Sequence, residues 1–195
     1  MTMTQQAWYD KAFVSVCGLS GTETQLTAKT TSFKKSGGGF DIEGTETFGG
    51  KITRVGTKDD LEISFDGIPA SHADFDWIFA GQTASTAFGT TGVSLSTSTI
   101  TQYRVSLLWS NQTGITSAAQ SITAGNEAYR EVYANAYCTS LEKNMDAGDM
   151  LKATFTFKLA DQDSSGNQNW MTQAKDTTSG TLSALNAYTS STTKW

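Results

Sequence analysis

From Leu151 to Leu159 apolar and polar residues alternate without a break, with Leu151, Ala153, Phe155, Phe157 and Leu159 set against Lys152, Thr154, Thr156 and Lys158. A period of two puts the first set on one face of an extended strand. The same period groups Leu61, Ile63 and Phe65 against Glu62 and Ser64, and it brings Tyr103, Val105, Leu107 and Trp109 together. Residues 128–141 alternate as well, with Val132, Ala134, Ala136 and Cys138 opposing Tyr129, Glu131, Tyr133, Asn135 and Tyr137. Small residues on one side and tyrosines on the other mean that both faces of this strand need partners. Strands with one apolar face each bury it only by packing sheet on sheet. The chain is therefore predicted to be mainly β, with two packed antiparallel sheets in a sandwich or barrel, as a single domain over residues 1–195.

Three segments depart from the alternation. Ser71 and Asp74 form a capping-box-like S-x-x-D, Phe75, Ile78 and Phe79 then share one helical face, and Pro69 and Gly81 bracket the stretch. These start and stop signals predict one short α-helix flanking the sheets. The loop Ser36 to Gly50, SGGGFDIEGTETFGG, holds six glycines in fifteen residues and reads as a mobile or bulged hairpin. With so little to bury by itself, it gains order by adding to a neighbour's sheet edge or by packing in an assembly. Asp161 to Trp195 is polar and rich in Ser and Thr, a C-terminal arm in which the spacing of Leu182, Leu185 and Tyr188 allows a brief helix or an extended docked segment.

Most chemistry is disfavoured by what the chain lacks. A net charge of -5 opposes binding to phosphate by charge neutralisation. No window is apolar enough to span a membrane, and the start MTMTQQAWYDKAFVSV has no basic, then apolar, leader pattern, so an unsecreted soluble chain is expected. Cys17 and Cys138 are expected as free thiols, outside any C-x-x-C pair, and His72 is the only histidine, so zinc and thiol-redox sites have no local ligands. The glycine-rich loop lacks the order G-x-x-x-x-G-K-[ST] needed to cradle phosphate. His72 has no G-x-S-x-G partner, and the pairs Asp59-Asp60, Asp74/Asp76 and Asp146/Asp149 read as solvated carboxylates. Asp161, Asp163 and Ser165, followed by Gly166, imitate the first half of a calcium loop and are weak calcium candidates. Position twelve of that register is Thr172 instead of a bidentate glutamate, which favours a polar turn. The expectation is a protein without a catalytic site, metal or cofactor.

The remaining pattern is FGGKITRVGTKDDLEISFDGI, the short helix, and then AYREVYANAYCTSLEKNMDAGDMLKATFTFKLADQDSSGNQNW. With its E-T-F-G-G turn, its late hairpin ending in LKATFTFK and the polar turn after it, the stretch over residues 36 to 170 resembles the major tail tube proteins of long-tailed phages and archaeal tailed viruses. The resemblance implies a structural virion protein that polymerises as stacked hexameric rings around a lumen. Its partners would be copies of itself, other tail proteins and viral DNA that passes through without specific binding, with no membrane partner. Its place would be the virion tail, after synthesis in the host cytoplasm. Acidity suits a lumen through which phosphates slide. The implied contact residues between subunits or rings are Gly37, Gly38, Gly39, Phe40, Asp41, Ile42, Glu43 and Phe48. The alternative is a carbohydrate-binding or adhesin-like β-sandwich, in which exposed tryptophans stack on sugars.

Overall fold

A computed structural model describes residues 12–18, 24–25, 28–69, 78, 101–145, 147–160, 162–175 and 179–185. They form ten strands: β1 (Ala12–Gly18), β2 (Thr24–Gln25), β3 (Ala28–Ser36), β4 (Phe40–Thr47), β5 (Gly50–Lys58), β6 (Leu61–Pro69), β7 (Tyr103–Ser110), β8 (Ala128–Asn144), β9 (Lys152–Leu159) and β10 (Trp170–Lys175). Eight of them make one antiparallel sheet in the order β2-β1-β7-β8-β9-β6-β3, with β10 paired to β8 off this path, and β4 and β5 form a separate two-stranded sheet.

The alternations seen in the sequence place the core. Ala153, Phe155, Phe157 and Leu159 of β9, Leu61, Ile63 and Phe65 of β6, and Tyr103, Val105 and Leu107 of β7 join Val14 and Val16 of β1 in one buried cluster. Phe65, Phe155 and Phe157 stack with ring centroids 5.1 to 6.2 Å apart. The large sheet packs on itself to make this core. The first half of β8 pairs with β7 and β10 and the second half with β9, so the sheet folds over at β8. Strand β3, at the far end of the path, then lays Phe33 against Trp109 of β7 and Tyr133 of β8, each at 6.2 Å. The mainly β expectation holds, with two refinements. The facing layers are two halves of one sheet that is not a closed barrel, and the second sheet is the small β4–β5 hairpin.

The opposite face of β7 is buried too, which its alternation did not indicate. Leu108 packs with Ile115, Ala118, Ile122 and Ala128, and with the partly buried Phe13 and Leu182. Residues 111–127 and 179–185 cover this face, tied together by the paired backbones of Ile122 and Leu182 and by the Leu185 N–H donating to the Ala119 carbonyl at 2.8 Å. Arg130, fully buried on β8, secures the cover: its guanidinium donates to the Ser183 carbonyl at 2.9 Å, to Gln173 Oε1 at 3.2 Å and to the Gln120 carbonyl. The segment expected as a polar arm therefore supplies both a sheet strand, β10, and an extended stretch docked on the body.

At Asn135 the simple alternation of β8 breaks. Its φ of 53° is the one positive value among the described non-glycine residues, and the β7–β8 register shifts there, between Tyr103 and Val105. The bulge puts Tyr133 before it and Ala136 and Cys138 after it on the same core, whereas unbroken alternation opposed Tyr133 to Ala136. Asn tolerates this backbone, and its side chain is held: Asn135 Nδ2 donates to Asn169 Oδ1 at 2.6 Å, and Asn169 Nδ2 donates to the Ala160 carbonyl at 3.0 Å. Asn135→Ala is expected to cost about 2 kcal/mol, from the left-handed backbone and the lost hydrogen bond together. Asn135→Gly, which relieves the backbone, should cost about half as much by urea denaturation, and equal losses would contradict this account.

Of the expected helix at 71–81 only Ile78 is described. It is helical and buried, and its carbonyl accepts the Tyr103 hydroxyl at 2.8 Å. Ser71, His72, Asp74, Phe75, Phe79 and Gly81 lie outside the described residues, as does Tyr188.

Candidate assembly surface

The hairpin begins where β3 ends. Gly37 and Gly38 have φ of +83° and +74°, and a Cβ on Gly37 would stand 2.1 Å from the Asp60 carbonyl oxygen, so only glycine makes this exit from the body. Strands β4 and β5 then pair antiparallel from Phe40↔Lys58 to Thr47↔Gly50, closed by a tight turn at Phe48 and Gly49. A bulge lies between the pairs Phe40↔Lys58 and Ile42↔Val55, adding a residue on the β5 side.

Strand alternation puts Phe40, Ile42 and Val55 on one face of this hairpin, at 60%, 65% and 61% exposure. Ile52 is exposed on the other face, and Phe48 stands out fully at the tip. Among the described residues, neither strand pairs with a strand of the body. A lone two-stranded ribbon is marginal in water, and an uncovered apolar cluster rimmed by charge marks a contact surface. All eight contact residues suggested by the sequence fall on this unit: Gly37, Gly38 and Gly39 in its stem, Phe40, Asp41, Ile42 and Glu43 on β4, and Phe48 at its tip. The hairpin unit continues past Gly50, the end of the glycine-rich loop. The whole of β5 belongs to it, and with β5 come Ile52 and Val55, whose signal was the continuation of strand-forming residues past the turn.

A polar cluster fastens the root of the hairpin to the body. Glu131 on β8 is nearly buried; it accepts the Tyr129 hydroxyl at 2.6 Å and the Tyr133 hydroxyl, and the Lys35 ammonium of β3 lies 3.6 Å from it. The same ammonium sits 5.2 Å from the centre of the Trp170 ring. Burial first, then the hydrogen bond and charge of Glu131, push both tyrosine hydroxyls well above the usual phenol range. Their folded-state values lie above those of the unfolded chain, so the stability they contribute is complete below about pH 10 and is lost as the pH rises beyond it. The urea midpoint should therefore fall between pH 8 and pH 11, and fall less in Tyr133→Phe. An equal fall in both proteins would contradict the assignment.

The other candidates serve structure. Asp163 Oδ1 accepts the backbone N–H groups of Ser165 and Asn167, both at 2.9 Å, and Gly166 turns the chain at φ +80°, so the carboxylate closes a polar turn. Asp161 lies outside the described residues, and among those described no three His, Cys, Asp or Glu gather as metal ligands. Cys17 and Cys138 are thiols that are not joined in a disulfide. Burial pushes the Cys138 thiol up to about 12, which keeps it protonated and unreactive. Trp109 and Trp170 are both half-buried, one against Phe33 and Tyr129 and the other beneath Lys35. Among the described residues no helix is long and apolar enough to cross a membrane.

No protein-family profile and no curated protein matches the sequence. Solved structures do. A chain of the anti-feeding prophage baseplate, determined by cryo-EM with six-fold symmetrisation, aligns with a TM-score of 0.50 at 9% identity, covering 88% of this chain and 97% of that one. The likeness is one of fold. Two chains from structures of an extracellular contractile injection system also align, each with a TM-score of 0.46. One, from the sheath-tube complex, is 17% identical and covers 90% of this chain and 100% of its own. The other, from the sheath/tube terminator, is 18% identical and covers 85% and 95%.

Proposed function

We propose that this protein is a non-enzymatic structural subunit of a tail-like particle, and that it polymerises as stacked, hexameric rings into a tube through which viral DNA passes without specific binding. The observation that carries the reading is the β4–β5 hairpin, a ribbon that leaves the body through a glycine stem and presents Phe40, Ile42 and Val55 without cover from any described strand. An element of this kind is stable once a second surface covers it. Copies of one chain joined through unlike surfaces form rings or filaments, the geometry a tube requires. The fold shared with a chain of a six-fold symmetrised baseplate supports the reading, as does a net charge of -5, which opposes retention of DNA by charge neutralisation. The other partners would be further tail components, and the site of action the virion tail. The glycan-binding alternative has less support, because both described tryptophans are half-buried, Trp109 against Phe33 and Tyr129 and Trp170 beneath Lys35.

The double variant Ile42→Ser/Val55→Ser tests the hairpin's role. These side chains are exposed in the single chain, so the urea midpoint should stay within about 0.5 kcal/mol of the parent. Burying two aliphatic side chains is worth roughly 3 kcal/mol at a contact, so self-association measured by sedimentation should weaken about a hundredfold. Unchanged association would remove the hairpin from the interface.

A further inference from the structure

The charges on the hairpin and on the strand before it point to a specific pairing between copies. Strand β4 carries Asp41, Glu43 and Glu46 and no base, whereas β5 carries Lys51, Arg54 and Lys58 and no acid. Register sets Glu43 opposite Arg54 and Glu46 opposite Lys51. Strand β3 carries Lys29, Lys34 and Lys35, again with no acid. It ends the path of the large sheet, pairing with β6 on one side and with no described strand on the other. Strand β4 likewise pairs, among the described strands, only with β5. Among the described strands, β3 and β4 thus each present an open edge, of opposite charge, joined by Gly37 to Gly39 and not paired with each other.

We infer that the outer edge of β4 in one copy pairs with the open edge of β3 in a second copy, so that an acidic strand lies between two basic ones. The inference rests on the self-assembly proposed above and names its surfaces. Unpaired edges recruit further strands, and charges directly opposite across a ladder favour unlike signs and oppose like ones. Strand β4 against another β4 sets acid against acid, and β5 against β3 sets base against base. The combination of β5 with another copy's β4 meets the bulge that β5 carries near its base and leaves β3 open. Strand β3 is regular from Ser32 to Ser36, beyond its own register shift at Thr30/Ser32, and Lys34 is exposed there. A β4-to-β3 contact joins unlike surfaces head to tail, the kind that propagates through a ring or filament.

Single-cysteine additions test the pairing in the full chain. Lys34→Cys and Glu43→Cys chains, carrying different affinity tags, are mixed, allowed to assemble, pelleted and treated with a short bismaleimide, with Asp41→Cys run in parallel as a second β4 position. The unaltered protein, with Cys17 buried and Cys138 half-buried, is the background control for the native thiols. The expected result is a covalent dimer of differently tagged chains in the 34–43 or 34–41 mixture, at least tenfold above Lys34→Cys alone and above Lys34→Cys mixed with Arg54→Cys on β5. Pelleted assemblies that lack both the 34–43 and 34–41 products, or that link 34–54 or 43–54 as strongly, would overturn the pairing while leaving self-assembly standing. Failure of the unaltered protein to assemble would overturn the proposed function and the pairing with it.

Discussion

Replacing Asp41–Thr57 by an Asn-Gly turn is expected to abolish self-association and leave the body as stable as before. Phe40 and Lys58 are direct partners in the ladder, so a two-residue turn bridges them without strain. Among the described strands the removed ones pair only with each other, and the Gly39 carbonyl still accepts the Asp59 N–H, 2.9 Å away in the parent, at the stem. Removal of Ser36 to Gly50, the boundary suggested by the glycines, would be a poorer experiment. It takes β4 and leaves β5 without a partner. The shortened protein should unfold at the parent's urea concentration within about 0.5 kcal/mol and sediment as a monomer at every concentration. Particles of normal width formed without the hairpin would remove it from assembly altogether.

Phe157→Ala is expected to be the most damaging single change in the body. The ring is fully buried on β9 and lies 6.0 Å from Phe65, 6.2 Å from Phe155 and 6.2 Å from Tyr103. Its loss opens a cavity where β6, β7 and β9 meet, at a cost of about 3–5 kcal/mol. Total stabilities run to about 5–15 kcal/mol, so the variant should lose a large share of its urea resistance. Thr156→Ala, one residue away on the opposite and partly exposed face, should cost less than about 1 kcal/mol. Similar losses at the two positions would mean that β9 does not present the face described.

Strands β6, β7 and β9 were legible in the sequence because each buries at least one clean face, and a period of two then appears directly in residue type. Strand β8 was legible only up to Asn135, where a left-handed residue shifts the alternation, and Asn is not distinctive enough to announce it. The buried Arg130 was hidden for another reason. Its cover is the unpatterned stretch 111–127 and the docked residues 179–185, and non-repetitive segments carry no periodicity to read. The contact candidates came from glycine content and the resemblance, and the fold gathers all eight on one hairpin. Its β5 half went unread because neither face of the hairpin is buried in the single chain, so no alternation marks it. The Lys35–Glu131–Tyr129–Tyr133 cluster joins residues nearly a hundred positions apart, and only the folded sheet brings them together.

Electron microscopy of the purified protein across a concentration series tests the central claim most directly. Rings, or tubes of uniform width with a central channel, that become more numerous with concentration are the expected result. Dispersed single chains at every concentration, with the fold intact by circular dichroism, would contradict it.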